Sequence, residues 1–182
     1  MIKRFFPLVL ALTWLATPLS AGPREERLEQ LFGALRVAEA DEYPVIEEEI
    51  RRLWDDSGSP MLNLLLERGN RALAEGDAAA AIEHFTALID HAPDFAAAWN
   101  GRATAYYQAG LFGPAMADIA HVLTLEPRHF GALTGLGVIL EEAGQDELAR
   151  RAYQQVLQLA PNRADILDAI QALERAAGAF TL

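Results

Sequence analysis

A 34-residue period constrains this chain more than any other feature. Gly76, Gly110 and Gly144 stand 34 residues apart, as do Ala81, Ala115 and Ala149, and Pro93, Pro127 and Pro161. Coincident columns at a fixed spacing mark a repeated unit, and a unit this short cannot bury an apolar face alone. Each unit must cover its neighbour, so the chain can fold only as a stack.

The residue types in each column say how one unit is built. Gly69, Ala103 and Gly137 are small where two antiparallel helices approach, and Ala81, Ala115 and Ala149 are small on the facing helix. Without bulk at the crossing, the axes can sit at the roughly 8–10 Å of packed helices. Phe85, Ile119 and Tyr153 are the large knobs, packing with Leu65, Trp99 and Leu133. Gly76, Gly110 and Gly144 suit helix C-caps that require positive φ, and Asp77 suits the next N-cap. Each proline stops a second helix before the following unit.

The units read Leu65-x2-Arg68-Gly69-x2-Ala72, then Trp99-x2-Arg102-Ala103-x2-Tyr106, then Leu133-x2-Leu136-Gly137-x2-Leu140. Their second halves read Ala81-x3-Phe85, Ala115-x3-Ile119 and Ala149-x3-Tyr153, each closed by its proline. In these positions the chain resembles the tetratricopeptide repeat (TPR) family. The resemblance implies an all-α fold, a short right-handed α-solenoid of helix-turn-helix repeats with a C-terminal capping helix. The three repeats would span 61–162, at about 62–95, 96–129 and 130–163. Arg68 and Arg102 replace a usual apolar residue and Ala72 a frequent aromatic one, which weakens individual contacts. Leu53-Trp54, Ser57 to Pro60 and Leu64 to Gly69 also look like a stretch that recurs in exported TPR proteins of α-proteobacteria.

By the same resemblance, the first helix of each repeat lines a concave groove. Its positions here are Asn63, Leu66, Asn70 and Leu73, then Asn100, Thr104, Tyr107 and Gln108. Gly131, Thr134, Val138, Glu141 and Glu142 complete it. The candidate binding residues among them are Asn63, Asn70, Asn100, Thr104, Tyr107, Gln108, Thr134 and Glu141. Amide side chains offer paired donors and acceptors to an extended backbone, and Tyr107 supplies an aromatic surface. Family members that clamp acidic chaperone tails use basic residues with asparagines. Here Asn70 alone matches, Leu66, Thr134 and Val138 replace the cations, and Glu141 and Glu142 would repel such a tail. The implied partner is a protein or peptide. The alternative is a groove that binds nothing specific or is filled by the chain's own N-terminal helices.

Residues 22–60 read as a further helix pair, a degenerate repeat. Leu28, Leu31, Phe32, Leu35 and Ala38 form one stripe over 24–39, and Val45, Ile46, Ile50, Leu53 and Trp54 another up to Asp55. Glu47, Glu48 and Glu49 fall mainly off that stripe, as a solvated face. Pro60 sits about one period before Pro93, as a repeat-ending proline would. Glu47 and Arg51, however, occupy the phases of Ala81 and Phe85. After Pro161, Ile166, Leu167, Ile170 and Leu173 mark an amphipathic helix over 163–177 that seals the open end of the stack. The last residues, 178–182, are expected to fray.

Residues 1–21 have the layout of an export signal. Lys3 and Arg4 precede an apolar run from Phe5 to Ala16, and a polar-to-small exit ends at Ala21. The run is shorter than the roughly 20 residues of a membrane span, so cleavage after Ala21 is expected, with an uncleaved inner-membrane anchor as the alternative. The remainder carries 13 basic and 26 acidic residues, a net charge of −13. That surface opposes nucleic acid and anionic lipid, and it favours basic partners.

Residue chemistry points away from catalysis. There is no cysteine, hence no disulfide, thiolate metal site or thiol nucleophile. His84 and His91 are seven residues apart on one predicted helix, about 10.5 Å along its axis, too far to share an ion. His121 and His129 complete the set, and surface or inter-repeat packing accounts for all four. No phosphate loop or nucleophile elbow occurs. The expectation is a non-enzymatic periplasmic scaffold or adaptor of a Gram-negative-type bacterium, without cofactor or metal. Two alternatives stand beside it. One is a self-associating assembly factor using Trp54, Trp99 or Phe180, and the other is an accessory to cell-wall enzymes.

Overall fold

The computed structural model describes residues 22–179; the expected export segment 1–21, and Phe180 with the rest of 180–182, lie outside the described residues. Among these residues there are nine helices and no strand. They are α1 (Pro23–Leu35), α2 (Tyr43–Asp55), α3 (Pro60–Ala74), α4 (Ala78–His91), α5 (Ala96–Gln108), α6 (Phe112–Leu125), α7 (Phe130–Glu142), α8 (Asp146–Leu159) and α9 (Ala164–Ala179). None is long and apolar enough to cross a membrane.

From α3 to α8 the period becomes geometry. The second helices begin at Ala78, Phe112 and Asp146, and α5 and α7 begin at Ala96 and Phe130, each 34 residues after its counterpart. Gly76, Gly110 and Gly144 turn the chain at φ of +77°, +72° and +68°. There the following N–H reaches back to the preceding helix: Asp77 to the Ala72 carbonyl, Leu111 to Tyr106 and Gln145 to Leu140, at 2.8–2.9 Å. This closes the otherwise unpaired last turn. Asp77 accepts from the Ala80 N–H at 3.0 Å as the N-cap of α4. Inside the pairs, Ala81, Ala115 and Ala149 are fully buried, as are Leu88, Val122 and Val156, another 34-residue column. The Phe85 ring lies between Gly69 and Gly101, and a Cβ at Gly69 would come within 2.5 Å of it. Tyr153 occupies the matching space beside Gly137.

Arg102 corrects the expectation that it only weakens packing. It makes a bidentate ion pair with the buried Asp118 at 2.7 and 2.8 Å and donates to Thr86 Oγ1 at 3.2 Å. Its guanidinium also lies over Trp99, 4.9 Å from the ring centroid. One side chain thereby ties α4, α5 and α6 together, as a planar five-donor fork can.

The helix pair at 22–60 forms, but it does not stack ahead of α3 as a preceding repeat. Leu28, Leu31, Phe32, Leu35, Ile50 and Trp54 join the core of the third repeat, with Phe130, Tyr153 and Ile166. Pro60 correspondingly opens α3 at its first turn instead of ending a repeat. Arg128 holds α1 through Glu29 at 2.8 Å and stacks over Phe32. Asn162 Nδ2 donates to the Ala38 carbonyl at 2.8 Å. Helix α2 is also turned from its expected face: Val45 is 71% exposed while Glu47 is buried. Glu47 accepts from Arg163 at 3.3 Å, which Asp165 engages at 2.7 Å.

At the far end α9 covers α8 with Ile166 and Leu173 buried, while Leu167, expected on that stripe, is 38% exposed. The helix continues through 178–179, where fraying was expected.

Candidate functional site

Helices α3, α5 and α7 line the concave face, and α2 lies over part of it. Two recesses on this face share Asn100 and Gly131. The first is an apolar slot of about 150 Å³ between α5 and α7. Its walls are Ala103, Ile119, Gly135, Val138 and Ile139, with Asn100, Thr104 and Tyr107 on the rim. The second, about 440 Å³, lies under α2 and is polar: Glu47, Arg51 and Asp55 face Asn70, Asn100, His129, Thr134 and Arg163.

The eight candidate residues divide by location. Asn100, Thr104 and Tyr107 gather at the slot, and Asn70, Asn100 and Thr134 at the polar recess. Thr134 Oγ1 is buried and has no hydrogen-bonding protein partner. Asn63 is spent on the α2–α3 turn: its Oδ1 accepts from Ser57 N and Oγ at 2.9 and 2.6 Å, and its Nδ2 donates to Asp56 at 3.0 Å. Gln108 is exposed at the end of α5, outside both recesses. Glu141 accepts from Tyr153 Oη at 2.9 Å. Glu142 accepts from Tyr107 Oη, which fixes a carboxylate at the slot rim.

Electrostatics follows from these partners. Donating to Glu142 raises the Tyr107 phenol, and burial together with Glu141 raises Tyr153 well above the usual phenolic range. Desolvation of its recess-facing side raises the Asp55 carboxyl above its usual range, although the residue as a whole is exposed. His129 caps α7, its Nδ1 accepting from Ala132 N at 3.1 Å. Burial lowers its pKa to about 4, so it is neutral near pH 7. Trp54 stacks on its ring at 4.4 Å and 13°. That contact consumes a side chain proposed above for self-association. Trp99 is engaged as well: it donates to the Pro93 carbonyl at 2.7 Å and packs on His121. Among the described residues no cluster of His, Cys, Asp or Glu is placed to hold a metal ion.

Sequence reasoning missed Gly135, His129, Asp55 and Arg163 as lining residues. Gly135 had a signal: it stands 34 residues after Gly101, on a helix that also carries Gly131 and Gly137. Arg163, His129 and Asp55 had none, because they join the recess only through the tertiary placement of α2.

Comparison with known proteins agrees with this geometry. A family model described as tetratricopeptide repeat matches residues 66–120 and 115–164. A TPR repeat-containing protein of Rhizobium etli is 41% identical over 143 residues, covering 78% of this chain and 70% of that protein. Among solved structures, the first TPR of Spaghetti (RPAP3) bound to the HSP90 peptide SRMEEVD is similar at TM-score 0.61 and 25% identity, over 64% of this chain and 95% of that one. A structure of MamA from MSR-1 covers 85% of this chain and 87% of its own at TM-score 0.56, with 20% identity, a likeness of fold.

Proposed function

The chain belongs to the tetratricopeptide repeat family, and from that premise we propose that it is a periplasmic protein-interaction scaffold holding an extended partner segment on its concave face. The observation that carries this is the slot between α5 and α7, rimmed by Asn100, Thr104 and Tyr107. The fold neighbour RPAP3 holds a peptide, which supports the reading in kind. That peptide ends in acidic residues; this groove presents Glu142, and the arginines of its polar recess are already paired, Arg51 with Glu48 and Arg163 with Glu47 and Asp165, so an acidic tail is the wrong ligand here.

The immobilised full chain should capture partners from an envelope fraction of its host that Asn100→Ala/Tyr107→Ala loses. A double variant that keeps every partner would remove the groove from the proposal. Export is supported by the charged start, apolar run and small-residue exit at 1–21. Protein from the native host should begin at Gly22, and an intact Met1 in the soluble fraction would overturn export.

A further inference from the structure

The slot between α5 and α7 is deeper than its helix requires. Glycine is a poor helix former, so each glycine inside α7 calls for a reason. At Gly137 the reason is Tyr153, whose ring fills the space of a Cβ. At Gly131 a Cβ would press on His129 at 3.3 Å. At Gly135 a Cβ would meet only Ile119 Cδ1, at an ordinary 3.6 Å. Packing does not demand glycine there; its effect is to deepen a recess whose floor is Ala103, Ile119 and Ile139. The volume, about 150 Å³, matches apolar cavities known to hold a benzene ring.

Charge identifies what should stand beside an apolar anchor. Tyr107 lines the slot and holds Glu142 at its rim. Glu142 has no ion-pair partner among the described residues. The chain carries a net charge of −11, so its field favours cationic segments and opposes acidic ones. Asn100 stands where the slot meets the polar recess and can pair with the backbone between anchor and cation.

We propose that the slot selects peptide segments with an apolar side chain next to a basic one: the apolar group fills the space over Gly135 and the cation meets Glu142. This rests on the groove being the binding face. The probe is a phage-displayed random 12-residue peptide library, selected on the full chain and on Gly135→Leu and Glu142→Gln. The wild type should enrich sequences with Leu, Ile, Met or Phe within two residues of Lys or Arg. For a synthetic peptide of the enriched sequence, replacing the apolar residue with Ala should weaken binding at least ten-fold. Gly135→Leu, which fills the slot, should do the same with an unchanged or higher melting temperature, so lost binding is not lost folding. Replacing the peptide's Lys or Arg with Gln should weaken binding about three-fold to the wild type and leave Glu142→Gln unaffected. Enrichment of acidic peptides, of peptides without the apolar–basic pair, or of nothing overturns the inference. So does equal binding by Gly135→Leu. In each case the Asn100→Ala/Tyr107→Ala capture still decides whether the groove binds at all.

Discussion

The repeats and the N-terminal pair are made of similar parts and end in different places. Helices α3 and α4 have 15 and 14 residues, α1 and α2 have 13 each, and each pair is joined by a short connection. In the repeats, buried Ala81 faces buried Gly69, and the Phe85 ring locks two first helices by lying between Gly69 and Gly101. One period earlier those phases hold Glu47 and Arg51. A carboxylate and a guanidinium cannot serve as a small crossing point and an apolar knob. The pair therefore does not stack. It docks through Phe32 and Trp54 on the start of α7 and closes part of the concave face. The apolar rhythm specifies helices; the small-residue crossings specify stacking.

Removing the lock from the repeats is the largest test of that contrast. Phe85→Ala should cost about 3–5 kcal/mol, the range for a buried aromatic, since two glycines leave nothing to refill the space. Urea unfolding followed by circular dichroism measures it. A cost under about 1 kcal/mol would mean that the ring between the glycines is not what joins successive repeats.

The docked pair is held instead by a titratable contact. Trp54 stacks on His129, whose pKa burial lowers to about 4; its place at the N-terminus of α7 disfavours the cation too. The unfolded chain takes up this proton near the ordinary 6.5, so the folded state loses ground as pH falls from 6.5 toward 4, by up to ~3 kcal/mol. His129→Asn keeps an N-cap acceptor and removes the titration. Between pH 7 and 4 the wild type should lose about 3 kcal/mol more than the variant; other titrating groups are common to both and cancel. Parallel stability profiles would refute the assignment.

The same contrast explains what could be read from the sequence. The stack was legible because Gly76, Ala81 and Pro93 each recur in a column, and recurrence reports local geometry. Asn100, Thr104 and Tyr107 could be placed on the concave side because their helix was already placed. The path of α1 and α2 was not legible. It depends on Arg128 meeting Glu29, Asn162 meeting Ala38 and Trp54 meeting His129, pairs distant in sequence that follow no period. Asn63 was misread for a related reason: its phase points to the groove, but Ser57 and Asp56 lie close enough to claim it first.

The smallest expected effect isolates the residue that departs most from the repeat pattern. Glu47 is buried, and that burial raises its pKa even though Arg163 opposes the shift. A carboxyl with a raised folded-state pKa supports folding fully below its unfolded pKa, and that support is lost as pH rises through the folded value. Near pH 7 its charge is therefore a net burden. Glu47→Gln keeps an acceptor for Arg163, which also retains Asp165. The variant should be more stable than wild type at pH 7 by less than about 1 kcal/mol, the scale of one neutral hydrogen bond, and the gain should vanish as pH falls toward 4. Urea midpoints at the two pH values decide it. A loss at pH 7 would show that the Glu47–Arg163 pair actively holds α2 across the groove, so that α2 would be bound there by charge as well as by Trp54.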